Sequence, residues 1–372
     1  MKKTIIAMAL ACLPLAAAAD TTLYGQIKSS ISASQVKIKS TDGMAKSAAA
    51  TRINDNTSRI GVKGSETLGG DTKLIWQLEQ RVSVLGDRQG WGTRDSFIGL
   101  QGKFGTLRAG NLNNILHEMD GFNPWMGTPS AAELGLSAYR GGSRSISVRY
   151  ESPKFAGIHA DLQYAPRDNQ NPTDRYTHEK AGRDQYTAGL TYTRPNHYAK
   201  LAYTLRKNRV GSEDGQVARL ETAYHADKVF LGLGLSYSRA NENANTYLGY
   251  FTDGFNRYNH HDITADSRKN EAVESFDAAL TAGYNSGNFR PRISYAHGRA
   301  AKGMHSGKTL VDKFDQLIVG GDYRLSKRTS LRGQLAYLRV GGNTLLYTDA
   351  ANRTHKGKIE QTAASLGLHH RF

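Results

Sequence analysis

Cysteine is almost missing: the single one among 372 residues is Cys12, inside a short apolar run near the start. One thiol cannot build a disulfide framework or a thiolate metal cluster, so neither holds this chain together. "ALAC" also lacks the leucine spacing of a lipid-attachment signal, and the place of Cys12 within the apolar run reads as plain packing. Long hydrophobic runs are missing as well. Beyond residue 19 no stretch approaches the roughly 18 uninterrupted apolar residues of a membrane helix, which excludes helical spans. Mean hydropathy is −0.55, yet a polar average leaves room for a membrane wall whose apolar residues occupy alternate positions. Negative charge is in deficit, with 33 Asp and Glu against 49 Lys and Arg and a formal charge of +16. Such a surplus suits nucleic acid, an acidic surface or an anion pathway. No basic helix and no lysine cluster interleaved with stacking aromatics accompanies it, which argues against nucleic acid.

What is present begins at the N-terminus. Residues 1–19, "MKKTIIAMALACLPLAAAA", carry two lysines, an apolar run over 5–15 and small residues before Asp20. That layout is a secretory signal peptide, cleaved after Ala19. Subtracting Lys2 and Lys3 from +16 leaves +14 on residues 20–372. An exported chain seldom meets nucleic acid, so the anion pathway gains weight.

Period-two runs then fill the sequence. They fall at 22–34, 57–67, 71–84, 94–103, 105–112, 143–152, 157–166 and 184–194, and at 197–207, 216–226, 228–240, 272–285, 288–299, 313–324, 329–340 and 358–372, sixteen in all. In "DTKLIWQLEQRVSV", Leu74, Trp76, Leu78, Val82 and Val84 share one face, and Lys73, Gln77, Glu79, Arg81 and Ser83 the other. Tight turns such as Leu68-Gly69-Gly70, Phe104-Gly105 and Asn285-Ser286-Gly287 alternate without exception with longer connections near 35–56, 85–93, 113–142, 167–183, 208–215, 241–271, 300–312 and 341–357. All long connections therefore lie on one side of a meandering antiparallel sheet. An open sheet would leave two unpaired edges, prohibitively costly in lipid, so the sheet closes. A barrel of this size leaves an aqueous channel. Apolar faces then look at lipid, and Arg108 looks into the pore. Tyr24, Tyr150, Tyr164, Tyr192, Tyr237, Tyr284 and Tyr295 sit near strand ends, where interfacial girdles are expected.

Specific stretches carry a resemblance: "TLYGQIK" (22–28), "SRIGVKGSETLG" (58–69), "WGTRDSFIGLQGKFGTLRAGNLN" (91–113), "SVRYESPKFAG" (147–157), "PRISYAHG" (291–298), "YRLSKRTS" (323–330) and "SLGLHHRF" (365–372). The chain resembles the general porins of Neisseria and related Gram-negative bacteria over nearly all of residues 20–372, with 166–272 matching mainly in pattern. The resemblance implies an all-β fold, a 16-stranded antiparallel transmembrane β-barrel, assembled as a homotrimer, with the third long loop, 113–142, folded inward as a constriction. It implies a general diffusion channel of the outer membrane for ions and small hydrophilic solutes, without catalysis or cofactor. Outer-membrane lipid and lipopolysaccharide would surround the wall. Phe372 resembles the terminal signal read by the outer-membrane assembly machinery.

Loop 113–142 holds Glu118, Asp120 and Glu133 but only one Lys or Arg, Arg140. Inward faces of nearby strands offer Lys63, Arg81, Arg108 and Arg149, together with Arg59 and Lys28. An acidic loop opposite a basic wall would set a transverse field across a narrow opening and sort solutes by charge; the plainer reading is ordinary solvated lumen charges. With acids outnumbered, the expected bias is weakly toward anions. Other motifs lead nowhere. "GMHSGKT" (303–309) has three residues between Gly303 and Gly307 where a phosphate loop needs four, and reads as a surface loop. "NHHD" (259–262) reads as a solvated loop, because adjacent residues seldom converge on one ion. The alternative function, a barrel-type lipid hydrolase or protease, needs a nucleophile, base and orienting group in mutual reach. No spacing here identifies them.

Overall fold

The alternation of apolar and polar side chains is realised as strand over most of the chain. The computed structural model describes residues 20–86, 92–126, 130–134, 144–166, 184–253, 255, 257–258, 261–263 and 267–372. Sixteen strands build the wall: β1 (Thr22–Ser40), β2 (Arg59–Gly69), β3 (Thr72–Arg81), β4 (Ser96–Gly102), β5 (Gly105–Asn113), β6 (Arg144–Glu151), β7 (Ile158–Ala165), β8 (Gln185–Arg194), β9 (His197–Val210), β10 (Glu213–His225), β11 (Val229–Asn243), β12 (Ala272–Tyr284), β13 (Phe289–Gly298), β14 (Phe314–Arg324), β15 (Thr329–Thr348) and β16 (Thr354–Arg371). Each pairs antiparallel with the next in sequence. β16 pairs back onto β1 from Gln26↔Arg371 to Ser40↔Gly357, so the wall is a closed barrel with no free edge. The seam is finished by the last residue. Gly25 N donates to Phe372 O and Phe372 N to Gly25 O, each at 3.1 Å. The Phe372 ring lies over Gly25 so closely that a Cβ there would come within 2.4 Å of it, which only glycine tolerates.

Burial is inverted relative to a water-soluble domain. Leu23, Ile31, Leu78, Ile98, Leu162, Leu201, Leu280, Leu335 and Leu366 are exposed on the outside of the wall, while Gln26, Ser32, Asp161, Gln163, Glu221, Thr281, Gln316 and Gln361 are buried. Each large apolar side chain left in water forgoes about 1.5–3 kcal/mol, so a wall covered with them belongs in lipid. Tyr150, Tyr164, Tyr284 and Tyr295 are exposed among these outward residues. Tyr24 departs from the girdle expected of it: its neighbour Leu23 points out, and the Tyr24 hydroxyl donates to Glu79 Oε2 at 3.1 Å.

The expected connection 35–56 is mostly strand. β1 continues to Ser40, and Gly43–Lys46 and Ala50–Asp55 pair back along it. β15 likewise runs to Thr348, past its expected end at residue 340. The physical reason is that the inner face changes character toward the long-connection end. Val36, Ile38, Phe314, Leu338, Val340 and Ile359 are fully or almost fully buried there, against Tyr247, Leu248, Phe251, Ile263, Leu345 and Leu346. Tyr247 and Leu248 belong to the short helix α1 (Ala244–Gly249), started by the Asn243 side chain accepting from Thr246 N at 2.8 Å. The apolar core therefore sits at one end, beneath the connections, and Phe122, Ala131, Ala132 and Leu134 of the third long connection join it.

Candidate functional site

The connection between β5 and β6 is described over residues 114–126 and 130–134; Arg140 lies outside the described residues. Its backbone is held by inner-face side chains of one strand after another. Near its start, Ile115 N donates to Gln163 Oε1 on β7 at 3.3 Å, and Asn114 Nδ2 to Thr187 Oγ1 on β8 at 3.3 Å. Arg219 on β10 donates to Leu116 O at 3.2 Å, Lys200 on β9 to Glu118 O at 3.2 Å, and Gly121 N donates to Glu221 Oε1 at 3.2 Å. Further on, Trp125 Nε1 donates to Ser294 on β13 at 2.9 Å and Met126 N to Gln334 Oε1 on β15 at 3.1 Å, while Asn56 Nδ2 donates to Met126 O at 2.8 Å. Gln316 Nε2 on β14 reaches both Ala131 O and Glu133 O at 2.8 Å, and Gln334 Nε2 reaches Ala132 O at 2.9 Å. Polar groups that alternation placed on the inner face thus satisfy the backbone of a segment with little regular structure of its own.

Beside this segment lies a cavity of about 860 Å³. Lys28, Arg59, Arg81, Arg94, Arg144, Arg290, Arg292, Arg332 and Arg371 line it, against Asp55, Asp120 and Glu133. The cations come from segments far apart in sequence, and several lie on the face opposite an outward apolar neighbour: Lys28 beside Ile27, Arg292 beside Ile293, Arg332 beside Leu331. Several are tied by carboxylates. Glu79 takes Arg94 at 2.5 Å and Arg59 at 3.3 Å, Asp322 takes Arg292 at 3.1 Å and Arg332 at 3.3 Å, and Asp55 takes Arg81 at 3.5 Å. Among the described residues Lys28, Arg144, Arg290 and Arg371 make no ion pair with a carboxylate. The cavity is strongly positive.

The acids of the connection weaken this balance little. Burial pushes the Glu133 carboxyl up to about 8, and the Asp120 charge adds to the shift, so Glu133 is largely neutral at pH 7. His117 is pushed down to about 4 by burial and by Arg144, Arg94 and Arg219, and carries no charge at pH 7. Glu118 faces away from the cavity and meets Arg149 at 2.8 Å. Arg149 in turn meets Asp161 at 2.9 Å and Glu151 at 3.3 Å, in a second cavity of about 250 Å³ on the other side of the connection.

Of the basic residues singled out from the sequence, Arg81, Arg59 and Lys28 line the large cavity. Arg108 is paired with Glu151 at 2.6 Å, Arg149 is held by its three carboxylates, and Lys63 is exposed with its ammonium 5.5 Å from the Tyr24 ring. Sequence reasoning passed over Arg94, Arg144, Arg290, Arg292, Arg332 and Arg371. Parity carried a signal for Arg290 and Arg292, which share one face in "FRPRIS". The "GMHSGKT" stretch forms a turn between Ala301–Gly303 and Thr309–Val311, in which the Glu271 carboxylate accepts from His305 N at 2.7 Å and Ser306 N at 2.6 Å. Asn259 and His260 of "NHHD" lie outside the described residues, and among the described residues no three His, Cys, Asp or Glu gather as they would around a metal.

Comparison with known proteins bears on this arrangement. A family model described as Gram-negative porin matches residues 30–372. The chain is 38% identical to the major outer membrane protein P.IB of Neisseria sicca, with all of both chains covered. Among solved structures it is similar to the anion-selective porin from Comamonas acidovorans, at 22% identity and a TM-score of 0.64, covering 95% of this chain and 100% of the other. It is also similar to OmpT of Vibrio cholerae in its trimer form, at 12% identity and a TM-score of 0.58, covering 95% and 100%.

Proposed function

The chain belongs to the Gram-negative porin family and is an outer-membrane diffusion channel rather than an enzyme, and from that premise we propose that segment 113–142 narrows the channel and that the basic cavity beside it gives a weak preference for anions. The observation that carries this reading is the lining of that cavity, where nine Lys and Arg side chains face Asp55, Asp120 and a largely neutral Glu133. A narrow aqueous section bordered by low-dielectric walls concentrates counter-ions of the opposite sign. The bias stays weak because salt screens charges beyond about 8 Å at physiological strength. The solved Comamonas relative in fold carries the description anion-selective, in keeping with the same sign.

The remaining parts follow the same premise. Residues 1–19 act as a cleaved signal peptide, Phe372 as the end read by the assembly machinery, and the apolar wall as a surface for outer-membrane lipid, lipopolysaccharide and two further copies in a homotrimer. The trimer form of OmpT supports that last point. Shortening 113–142 tests the constriction: single-channel conductance rises while the barrel still folds, since no strand is altered. Unchanged conductance in a folded deletion would place the segment outside the conducting path.

A further inference from the structure

Strict alternation breaks in the wall beside the large cavity. The segment Ala50–Asp55 pairs with β1 up to Ser29↔Asp55, and β2 resumes the pairing at Gln26↔Arg59. Ile27 and Lys28 therefore stand opposite three residues, Asn56, Thr57 and Ser58, which is a β-bulge with one extra residue. Its effect on facing shows on both sides. Before it, Ile53 is exposed toward lipid and Asn54 reaches inward to Ser32 Oγ at 2.8 Å; after it, Arg59 lines the cavity, so the lumen-facing residues change from even to odd numbers. Asp55, which alternation would turn toward lipid with Ile53, lines the cavity as well, as do Asn56 and Thr57. Three consecutive residues on one face are out of reach of a regular strand.

The bulge is tied down on the wall side. Thr57 takes a left-handed φ of 68°, uncommon for a residue other than glycine. Ser58 Oγ closes the ladder in place of a backbone group, accepting from Lys28 N at 2.9 Å, and Asn56 N donates to Lys28 O at 3.0 Å. Ser58 N donates to Asp55 Oδ1 at 3.3 Å. On the lumen side the Asn56 amide reaches the connection between β5 and β6, with Nδ2 donating to Met126 O at 2.8 Å. Gln334 on β15 accepts from Met126 N at 3.1 Å, and a Cβ at Gly367 on β16 would come within 2.8 Å of Met126 Sδ, so this residue is gripped from β15, β16 and the bulge together.

We infer that the bulge at 55–58 sets the narrow section from the wall side, with Asn56 as the positioning residue that holds the connection at Met126 beside the cations. The inference deepens the constriction reading and rests on it. Met126 borders the large cavity, so releasing it changes the open cross-section without moving a strand.

Single-channel recording of the full-length protein carrying Asn56→Ala or Asn56→Leu tests this; leucine keeps the bulk and removes the amide donor. Both variants spend more time in a wider, more conductive level, by roughly two- to tenfold, the ratio that one lost hydrogen bond supports. A defect confined to the wall would act with or without the connection, so each substitution is repeated with 113–142 shortened, where the change disappears. Parental current traces from the folded Asn56 variants overturn the inference, and so does a change that persists in the shortened background. Parental traces from those variants beside a raised conductance on shortening leave the constriction reading standing alone, whereas unchanged conductance on shortening removes both.

Discussion

The two cavities flanking the connection between β5 and β6 use the same residue type on the same face of the wall to opposite ends. In the smaller one Arg149, with its side chain 4% exposed, is enclosed by Glu118, Glu151 and Asp161. In the larger one Lys28, Arg144, Arg290 and Arg371 make no ion pair with a carboxylate among the described residues, and Arg81 touches Asp55 only at 3.5 Å. An arginine whose charge is matched locally fixes the position of what it binds. An arginine facing open volume leaves its field for a solute. Inner-face position alone does not separate the two; the cross-strand partners do.

Removing each kind of arginine in turn separates the two roles. Arg149→Ala strands its carboxylates where they are poorly hydrated, and removing one partner of a buried pair costs about 3–5 kcal/mol. A marked drop in the thermal midpoint of the detergent-solubilised protein is expected. Arg149→Lys recovers little, because one ammonium cannot serve Glu118 and Asp161 with two separate nitrogens. Arg81→Ser, by contrast, lowers the midpoint less, because its side chain is 35% exposed, its contact with Asp55 is long at 3.5 Å, and the buried Asp55 carboxylate keeps the Ser58 N–H as a partner. Equal midpoints for the Arg149 and Arg81 variants would erase the distinction.

Glu133 adds a pH effect of intermediate size. Glu133 holds its proton up to about 8 in the folded chain, against an ordinary value of 4.5. Between those two values the unfolded chain has lost the proton and the folded one has kept it, so this group's contribution to stability falls as pH rises through the window. Above about 8 the new carboxylate also subtracts from the positive cavity, and anion preference weakens. Glu133→Gln removes both trends, which unfolding midpoints and reversal potentials across pH 5 to 9 would register. A variant that keeps the parental pH slope would assign the effect elsewhere.

Much of the wall was legible from sequence because a membrane barrel leaves strict period-two alternation, and because tight and long connections alternate along a meander. β10 and β12 are found within a few residues of their expected runs. Legibility failed where the alternation changes meaning. Val36, Ile38 and Val340 are apolar on the inner face because α1 and its neighbours cover them, a tertiary fact absent from the local pattern. For the site, parity assigned Arg81, Arg108 and Arg149 to the inner face but not to different cavities. Glu151, two residues beyond Arg149 and on the same face, was the available sign that Arg149 is matched locally. Arg371 and Arg94 stand at strand ends, where boundaries are least certain, so pattern could not bring them to the same cavity.

On the proposed function, the cations of the large cavity, rather than those paired around Glu118 and Glu151, govern which ions pass. The reversal potential of a single channel across a salt gradient at low ionic strength tests it directly. The unaltered protein favours the anion, and Arg81→Ser with Arg144→Ser moves the permeability ratio toward cations on the order of twofold, whereas Arg108→Ser, which removes an arginine matched to Glu151, leaves it in place. A parental reversal potential in the double variant, or a larger shift from Arg108→Ser, would contradict the account.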